Sequence, residues 1–270
     1  MTTLHTFGCS ITQGFALPDV VRPVSDTSKI SHWTDIHIYE PSKYAWPQIL
    51  ADRLGIAVIN SARRGACFQQ IARQCAVSVH NIQSTDIVIV MWTYLSRLSL
   101  QWPARTSVPF CNVVEHSQGW RSRILPRFNK FFGLEHTNQT ADQQIYRYIH
   151  VSAQYTYLDP MGVYNQYYNN LVLLTMTDGF LRATGARIIH LSVEPEPYLD
   201  QLESARAQLN PSLRDPYRIP HPDSWYNTDV DHASCTVIHD PSIPPAPNDM
   251  HPSVKHHRNF ANHVYQQYFS

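Results

Sequence analysis

Ile87-Val88-Ile89-Val90-Met91-Trp92, introduced by Asp86, is an unbroken apolar run of strand length. A strand that is apolar on both faces belongs in a sheet covered by helices on both sides, the habit of parallel sheets. Working outward, Leu4–Phe7 reads as a first strand, Ile56–Ile59 as a second that ends at Asn60, and Arg187–Val193 as a fourth. Helical patterns fall between them. Gln48–Leu54 carries Ile49, Leu50 and Leu54 on one face and is closed by Gly55. Cys67–His80 follows the turn Arg63-Arg64-Gly65, Tyr164–Thr184 is closed by Gly185, and His256–Phe269 ends the chain. Alternating strand and helix predict an α/β fold, a three-layer α/β/α sandwich around a mostly parallel sheet. In such sheets ligands gather at the carboxyl ends of the strands. Ser10, Asn60–Gly65 and Thr93–Arg97 fall there.

The length of 270 residues suits one α/β domain with a substantial core. From about 101 to 160 the sequence is aromatic and polar without a period, and reads as an insertion beside the strand ends. From about 194 to 249 it is rich in Pro and reads as a long loop. At 43% apolar and 16% charged residues the chain is globular in composition. The 21 basic residues equal the 21 acidic ones, which excludes the cationic excess of a dedicated nucleic-acid binder. Its five cysteines, Cys9, Cys67, Cys75, Cys111 and Cys235, are scattered and odd in number, which fits reduced thiols rather than a disulfide framework or a zinc site. No run approaches the length of a membrane span, and Met1–Ser10 lacks the basic start and apolar run of a signal peptide. The expectation is a cytoplasmic protein, or a component of a larger particle, that binds neither membrane nor nucleic acid.

A serine hydroxyl attacks a carbonyl only when a base takes its proton and donors stabilise the oxyanion. The turn after the first strand of an α/β sheet exposes a side chain and aims backbone N–H groups the same way. Ser10 stands at that turn, although a plain helix N-cap would also place a serine there. Asp249-Met250-His251-Pro252 stands before the last helix, where the proline fixes the backbone behind an imidazole. A nearby carboxylate can hold such a histidine in one tautomer. With 15 histidines, chance proximity of Asp and His is the competing explanation. Cys9 could act as a nucleophile at a helix N-terminus but has no paired base and reads better as a small buried residue. His256-His257, even with His251, lacks a ligand set of known geometry, so no metal is expected. Arg63 and Arg64 could bind an anionic substrate group or sit in a solvated turn. Trp102, Trp120, Tyr146, Tyr148, Tyr155, Tyr157, Tyr164, Tyr167 and Tyr168 could stack on sugar rings, though packing explains most of them.

Together these segments resemble the SGNH/GDSL hydrolase family. Phe7-Gly8-Cys9-Ser10-Ile11-Thr12 resembles its first block, with Cys9 where the family name has Asp. Asn60-Ser61-Ala62-Arg63-Arg64-Gly65 resembles the second, Asp86–Thr93 the third strand, and Asp249-Met250-His251-Pro252-Ser253 the last. The resemblance spans roughly residues 3–100 and 164–269. It is closest to a phage and bacterial branch with GCS, WP, WT…R and D-x-HPS signatures. It departs twice. The third-block Asn, an oxyanion donor, is missing from Trp92-Thr93-Tyr94-Leu95-Ser96-Arg97. The position three before the histidine, usually Asp, is Asn248, with Asp249 one later.

The resemblance implies a flavodoxin-like SGNH hydrolase fold and an esterase or deacylase without a cofactor. Its substrate would be a small-molecule or carbohydrate O-acyl ester. Ser10 would be the nucleophile, His251 the base, and Asp249 or Asn248 the group that orients it. Gly65 would donate its N–H to the oxyanion hole, with Thr93 or Arg97 standing in for the missing Asn, or the hole resting on the Ser10 and Gly65 N–H groups. Arg97 and Arg64 are the candidate substrate-binding residues. An O-acyltransferase, or a non-catalytic binding or virion protein on the same fold, are the alternatives.

Overall fold

The computed structural model describes residues 1–20, 40–101, 107–110, 160–209, 225–246 and 251–270. Four strands, β1 (Thr3–Phe7), β2 (Ala57–Asn60), β3 (Ile87–Trp92) and β6 (Arg187–Ser192), form a parallel sheet in the order β2-β1-β3-β6. A separate antiparallel pair, β4 (Leu98–Gln101) and β5 (Ser107–Phe110), leaves the sheet just past β3. Asp231 extends the sheet by one bridge outside β6. Its N–H donates to the His190 carbonyl at 2.9 Å, and its carbonyl accepts from the Ser192 N–H at 3.0 Å.

The helices are α1 (Ser10–Gln13), α2 (Trp46–Leu54), α3 (Phe68–Ser78), α4 (Pro160–Arg182), α5 (Tyr198–Ala207), α6 (Cys235–Ile238) and α7 (Val254–Phe269). From β1 the chain steps outward through α2 to β2, then back through α3 to β3. Right-handed crossovers therefore put α2 and α3 on opposite faces. Helix α7 packs on α2, while α4 packs on α3 and α5, completing a three-layer α/β/α sandwich. Val88 to Trp92 are fully buried, as the unbroken run required. Each such side chain contributes about 1.5–3 kcal/mol of hydrophobic stabilisation.

The segment expected as a loop from about 194 to 249 holds helix α5. Pro195 and Pro197 precede it, and Pro197 is its N-cap, where a missing N–H costs nothing. Tyr198, Leu202, Ala205 and Leu209 are buried at helical spacing. The expected insertion at about 101–160 lies outside the described residues except for its first hairpin strands, and so do Trp102, Cys111, Trp120, Tyr146, Tyr148, Tyr155 and Tyr157.

Two buried polar chains fix the sheet. At its amino end, Asp86 accepts the N–H groups of Thr3 (2.9 Å) and Gln83 (2.8 Å) and contacts the His5 ring at 3.3 Å. Near the carboxyl end, the Trp92 indole N–H donates to His190 Nδ1 at 3.0 Å. The opposite nitrogen, Nε2, meets Asp178 at 2.9 Å, and Arg182 donates to both oxygens of that carboxylate. Because Nδ1 accepts from the indole, the proton of neutral His190 resides on Nε2 and is donated to Asp178. Burial pushes the Asp178 carboxyl up, but the bonds from His190 and Arg182 outweigh it and hold it below the ordinary range.

Gly8 shows how tightly the turn after β1 is packed. A Cβ there would stand 2.9 Å from Thr12 Cβ and 3.0 Å from the Met91 carbonyl oxygen. Gly8→Ala is expected to cost about 1–3 kcal/mol through overpacking, read as a lower urea midpoint with the slope unchanged.

Candidate active site

Strand β1 ends at Phe7, and the chain turns through Gly8 and Cys9 into α1, whose first residue is Ser10. Cys9 is the N-cap, and both it and Ser10 are buried, but it is the hydroxyl of Ser10 that meets an imidazole. The turn is clamped to the segment after β2. Ser61 N–H donates to the Thr6 carbonyl (2.9 Å), Arg63 N–H to the Gly8 carbonyl (3.1 Å), and the Asn60 amide to the Thr12 carbonyl (2.8 Å). Asn60 Oδ1 also accepts from the Ala62 N–H at 3.1 Å, so one side chain ties both loops together.

His251 reaches this turn from the segment before α7. Its Nε2 lies 2.9 Å from Ser10 Oγ. With neutral imidazole, the hydroxyl donates and Nε2 accepts. The His251 carbonyl takes the N–H of Ala246 at 2.9 Å, which pins its backbone. Phe15 packs edge-on against the imidazole with ring centroids 5.1 Å apart. Arg64 lies over the same phenyl ring, its guanidinium carbon 3.9 Å from the centroid. Arg64 is exposed on the rim, one residue before Gly65.

Gly65 is buried and has φ of 73°, a left-handed conformation that side chains strain to adopt. It sits inside the turn closed by Ala66 N–H donating to the Arg63 carbonyl at 3.1 Å. Among the described residues no backbone carbonyl takes the N–H of Gly65 or of Ser10.

The two residues considered as stand-ins for the missing Asn are placed differently from each other. Thr93 is fully buried, its hydroxyl has no hydrogen-bond partner among the described residues, and its carbonyl accepts from Tyr198. Arg97 is also buried. Its Nη1 donates to the Ala66 carbonyl at 3.2 Å, and its guanidinium lies 5.2 Å from the Tyr94 ring centroid. Arg97 thus braces the Gly65 turn from behind, a placement unlike that of a residue waiting in open solvent for substrate. Asp249 and Asn248 lie outside the described residues.

The neighbouring histidines serve the fold. His256 Nδ1 faces the Ser253 N–H and hydroxyl, capping α7, and its Nε2 meets the Asp240 carbonyl at 3.0 Å. His257 Nδ1 accepts the Trp46 N–H at 3.2 Å. Burial, with the nearby His256 and His251 adding to it, pushes its imidazole down to about 3.

Sequence reading missed Phe15 and the double role of Asn60. The signal for Asn60 was available: an amide at a strand end that opens a tight loop. Phe15 carried none, because its approach to His251 depends on contact between opposite ends of the chain. No helix among the described residues is long and apolar enough to cross a membrane.

No family model and no curated protein matches the chain. Among solved structures it is similar to an acetyl xylan esterase from the rumen bacterium Butyrivibrio proteoclasticus, at 11% identity and a TM-score of 0.45 over 98% of this chain. The chain spans 64% of that esterase's length. It is also similar to a member of the lipolytic protein G-D-S-L family from Veillonella parvula DSM 2008, at 13% identity and a TM-score of 0.41, covering 99% of this chain and 98% of that one.

Proposed function

We propose that the protein is a serine ester hydrolase acting on small-molecule or carbohydrate O-acyl esters. The observation that carries this reading is the 2.9 Å contact between Ser10 Oγ and His251 Nε2 at the carboxyl end of a parallel sheet. In the reaction, His251 takes the Ser10 proton as Oγ bonds to the ester carbonyl carbon. The resulting oxyanion is held by the N–H groups of Ser10 and Gly65. Collapse breaks the bond to the leaving alcohol, which receives the proton from His251. Water then attacks the acyl-enzyme, giving a proton to His251, and as the Oγ–acyl bond breaks that proton returns to Ser10 Oγ and the carboxylic acid leaves. Asp249 or Asn248 is assigned, from the family resemblance, to hold the His251 tautomer. Phe15 supports the imidazole plane, and Arg64 on the rim is assigned to the substrate.

Intact mass after treatment with a fluorophosphonate tests the reading. One adduct on the wild type and none on Ser10→Ala is the expected result. No adduct on folded wild type would move the assignment to a non-catalytic binding protein. An adduct accompanied by turnover that depends on an added alcohol or amine would move it to acyl transfer.

Arg97 enters this mechanism as a positioning residue. Arg97→Ala, which frees the Ala66 carbonyl and loosens the Gly65 turn, is expected to lower kcat about 10- to 100-fold with a smaller change in KM. Lysine, which retains a donor, should recover part of the loss. A rise confined to KM would instead place Arg97 on the substrate.

A further inference from the structure

A cavity of about 380 Å³ lies at the carboxyl end of the sheet, lined by Tyr94, Val193, Pro195, Cys235, Thr236, His239 and Pro241. No step of the mechanism above uses it. We propose that it is the acyl subsite of the proposed esterase and takes an unbranched aliphatic chain of about four to eight carbons.

Position comes first. Tyr94 follows Thr93 directly beyond β3, the neighbour of the strand that delivers Ser10. Val193 and Pro195 continue from the end of β6. Pro241 starts the segment that runs to Ala246, whose N–H holds the His251 carbonyl. The walls therefore rise from the ends of β3 and β6, beside the strand that leads into Ser10, and from a segment hydrogen-bonded to His251 through Ala246. Electrostatics agree with this placement. Burial, with the nearby His256 and His251 adding to it, holds the His239 imidazole below its ordinary value. The Tyr94 phenol is pushed up to about 12 by burial first and then by the neighbouring Cys9 thiol.

Chemistry selects the occupant. The inner wall is Val193, the Cys235 side chain and the half-buried Tyr94 ring, and the exposed rim adds Pro195 and Pro241. Proline offers no N–H, and burial pushes the Cys235 thiol up to about 11, so it stays uncharged. The polar groups of the lining, the Thr236 hydroxyl, the His239 ring and the Tyr94 phenol, are too few to satisfy the hydroxyls of a sugar ring. An alkyl chain loses nothing by that lining. At roughly 30 Å³ for each water-sized group, about 380 Å³ holds on the order of ten non-hydrogen atoms. Acetyl underfills such a space, and chains from butyryl to octanoyl occupy it.

The proposal rests on the esterase reading, so its test has one arm that does not require turnover. In the first arm, kcat/KM is measured for p-nitrophenyl acetate, butyrate and hexanoate. The expected rise is about fourfold per added methylene. Thr236→Trp, a change at an exposed rim position, should flatten that slope. In the second arm, binding of hexanoate and acetate to Ser10→Ala is followed by ligand-observed NMR. Hexanoate should bind more tightly than acetate, and the added Thr236→Trp change should remove the difference. Thermal melts of both variants confirm folding.

Acetate turnover with a flat slope and no hexanoate preference would overturn the subsite and leave the esterase standing. So would a slope that Thr236→Trp does not touch, because the chain would then lie elsewhere. Selective hexanoate binding that Thr236→Trp removes, with no ester turned over, would support the pocket and sink the esterase reading instead.

Discussion

Replacing Ser10, His251 or both by alanine is expected to lower ester kcat/KM to a common floor, on the order of 10⁴-fold or more below wild type. In the proposed mechanism the two residues, 2.9 Å apart, share one proton, so removing either removes the same step. Ser10→Ala leaves the imidazole with no nucleophile to activate. His251→Ala leaves a hydroxyl that is not acidic enough to attack at neutral pH. The double variant should then fall no further than the worse single one. Losses that multiply in the double variant would show that the two side chains act independently and would refute their pairing. Phe15→Ala offers a finer reading of the same geometry. It leaves the hydrogen bond intact but frees the imidazole face, so it should cost far less than either alanine above. Progress curves with a short-chain aryl ester, alongside thermal melts, measure all four variants.

The largest stability effect is expected at Asp86, far from that chemistry. Asp86→Asn should lower the unfolding free energy at pH 7 by about 3 kcal/mol, because an amide cannot replace a carboxylate that accepts from two backbone N–H groups and a buried histidine. Burial pushes the Asp86 carboxyl up, but the N–H groups of Gln83 and Thr3, followed by the His5 ring, more than offset it. The group ends below its ordinary value of 3.8. A folded value depressed in this way adds stability that is complete above the unfolded value and is lost as the pH falls through the folded one. The gap between wild type and Asp86→Asn should therefore be widest at neutral pH and shrink below about pH 4. Urea titrations at pH 7 and pH 3 measure it. An equal gap at both would mean that shape, not charge, is what Asp86 contributes.

Much of the sheet was legible in the sequence because its central strands are buried on both faces and so appear as plain apolar runs, whereas β2 at the edge is only partly buried. Ile87–Trp92 and Arg187–Ser192 needed no partner to be recognised. Helix α5 was harder to see. Its buried positions, Tyr198, Leu202 and Ala205, have helical spacing, but Pro195 and Pro197 in front of them read as a loop. Proline at a helix start is permitted for the same reason that it is forbidden inside one. At the site, the positions of Ser10 and His251 could be read from their junctions between strand, loop and helix. Arg97 could not. A guanidinium is equally able to face a substrate carboxylate or a backbone carbonyl, and only the folded arrangement places it against Ala66. The contact between Phe15 and His251 is likewise a product of the tertiary fold.

The hydrogen bond from Ser10 to His251 joins positions 241 residues apart. On a ribosome adding about 5–20 residues per second, the serine emerges tens of seconds before its partner is even made. Through that interval the nascent chain carries a hydroxyl with nothing to activate it. If the pair is catalytic as proposed, synthesis of His251 and docking of α7 form the event that switches the chemistry on, and a chain stalled before His251 stays inert.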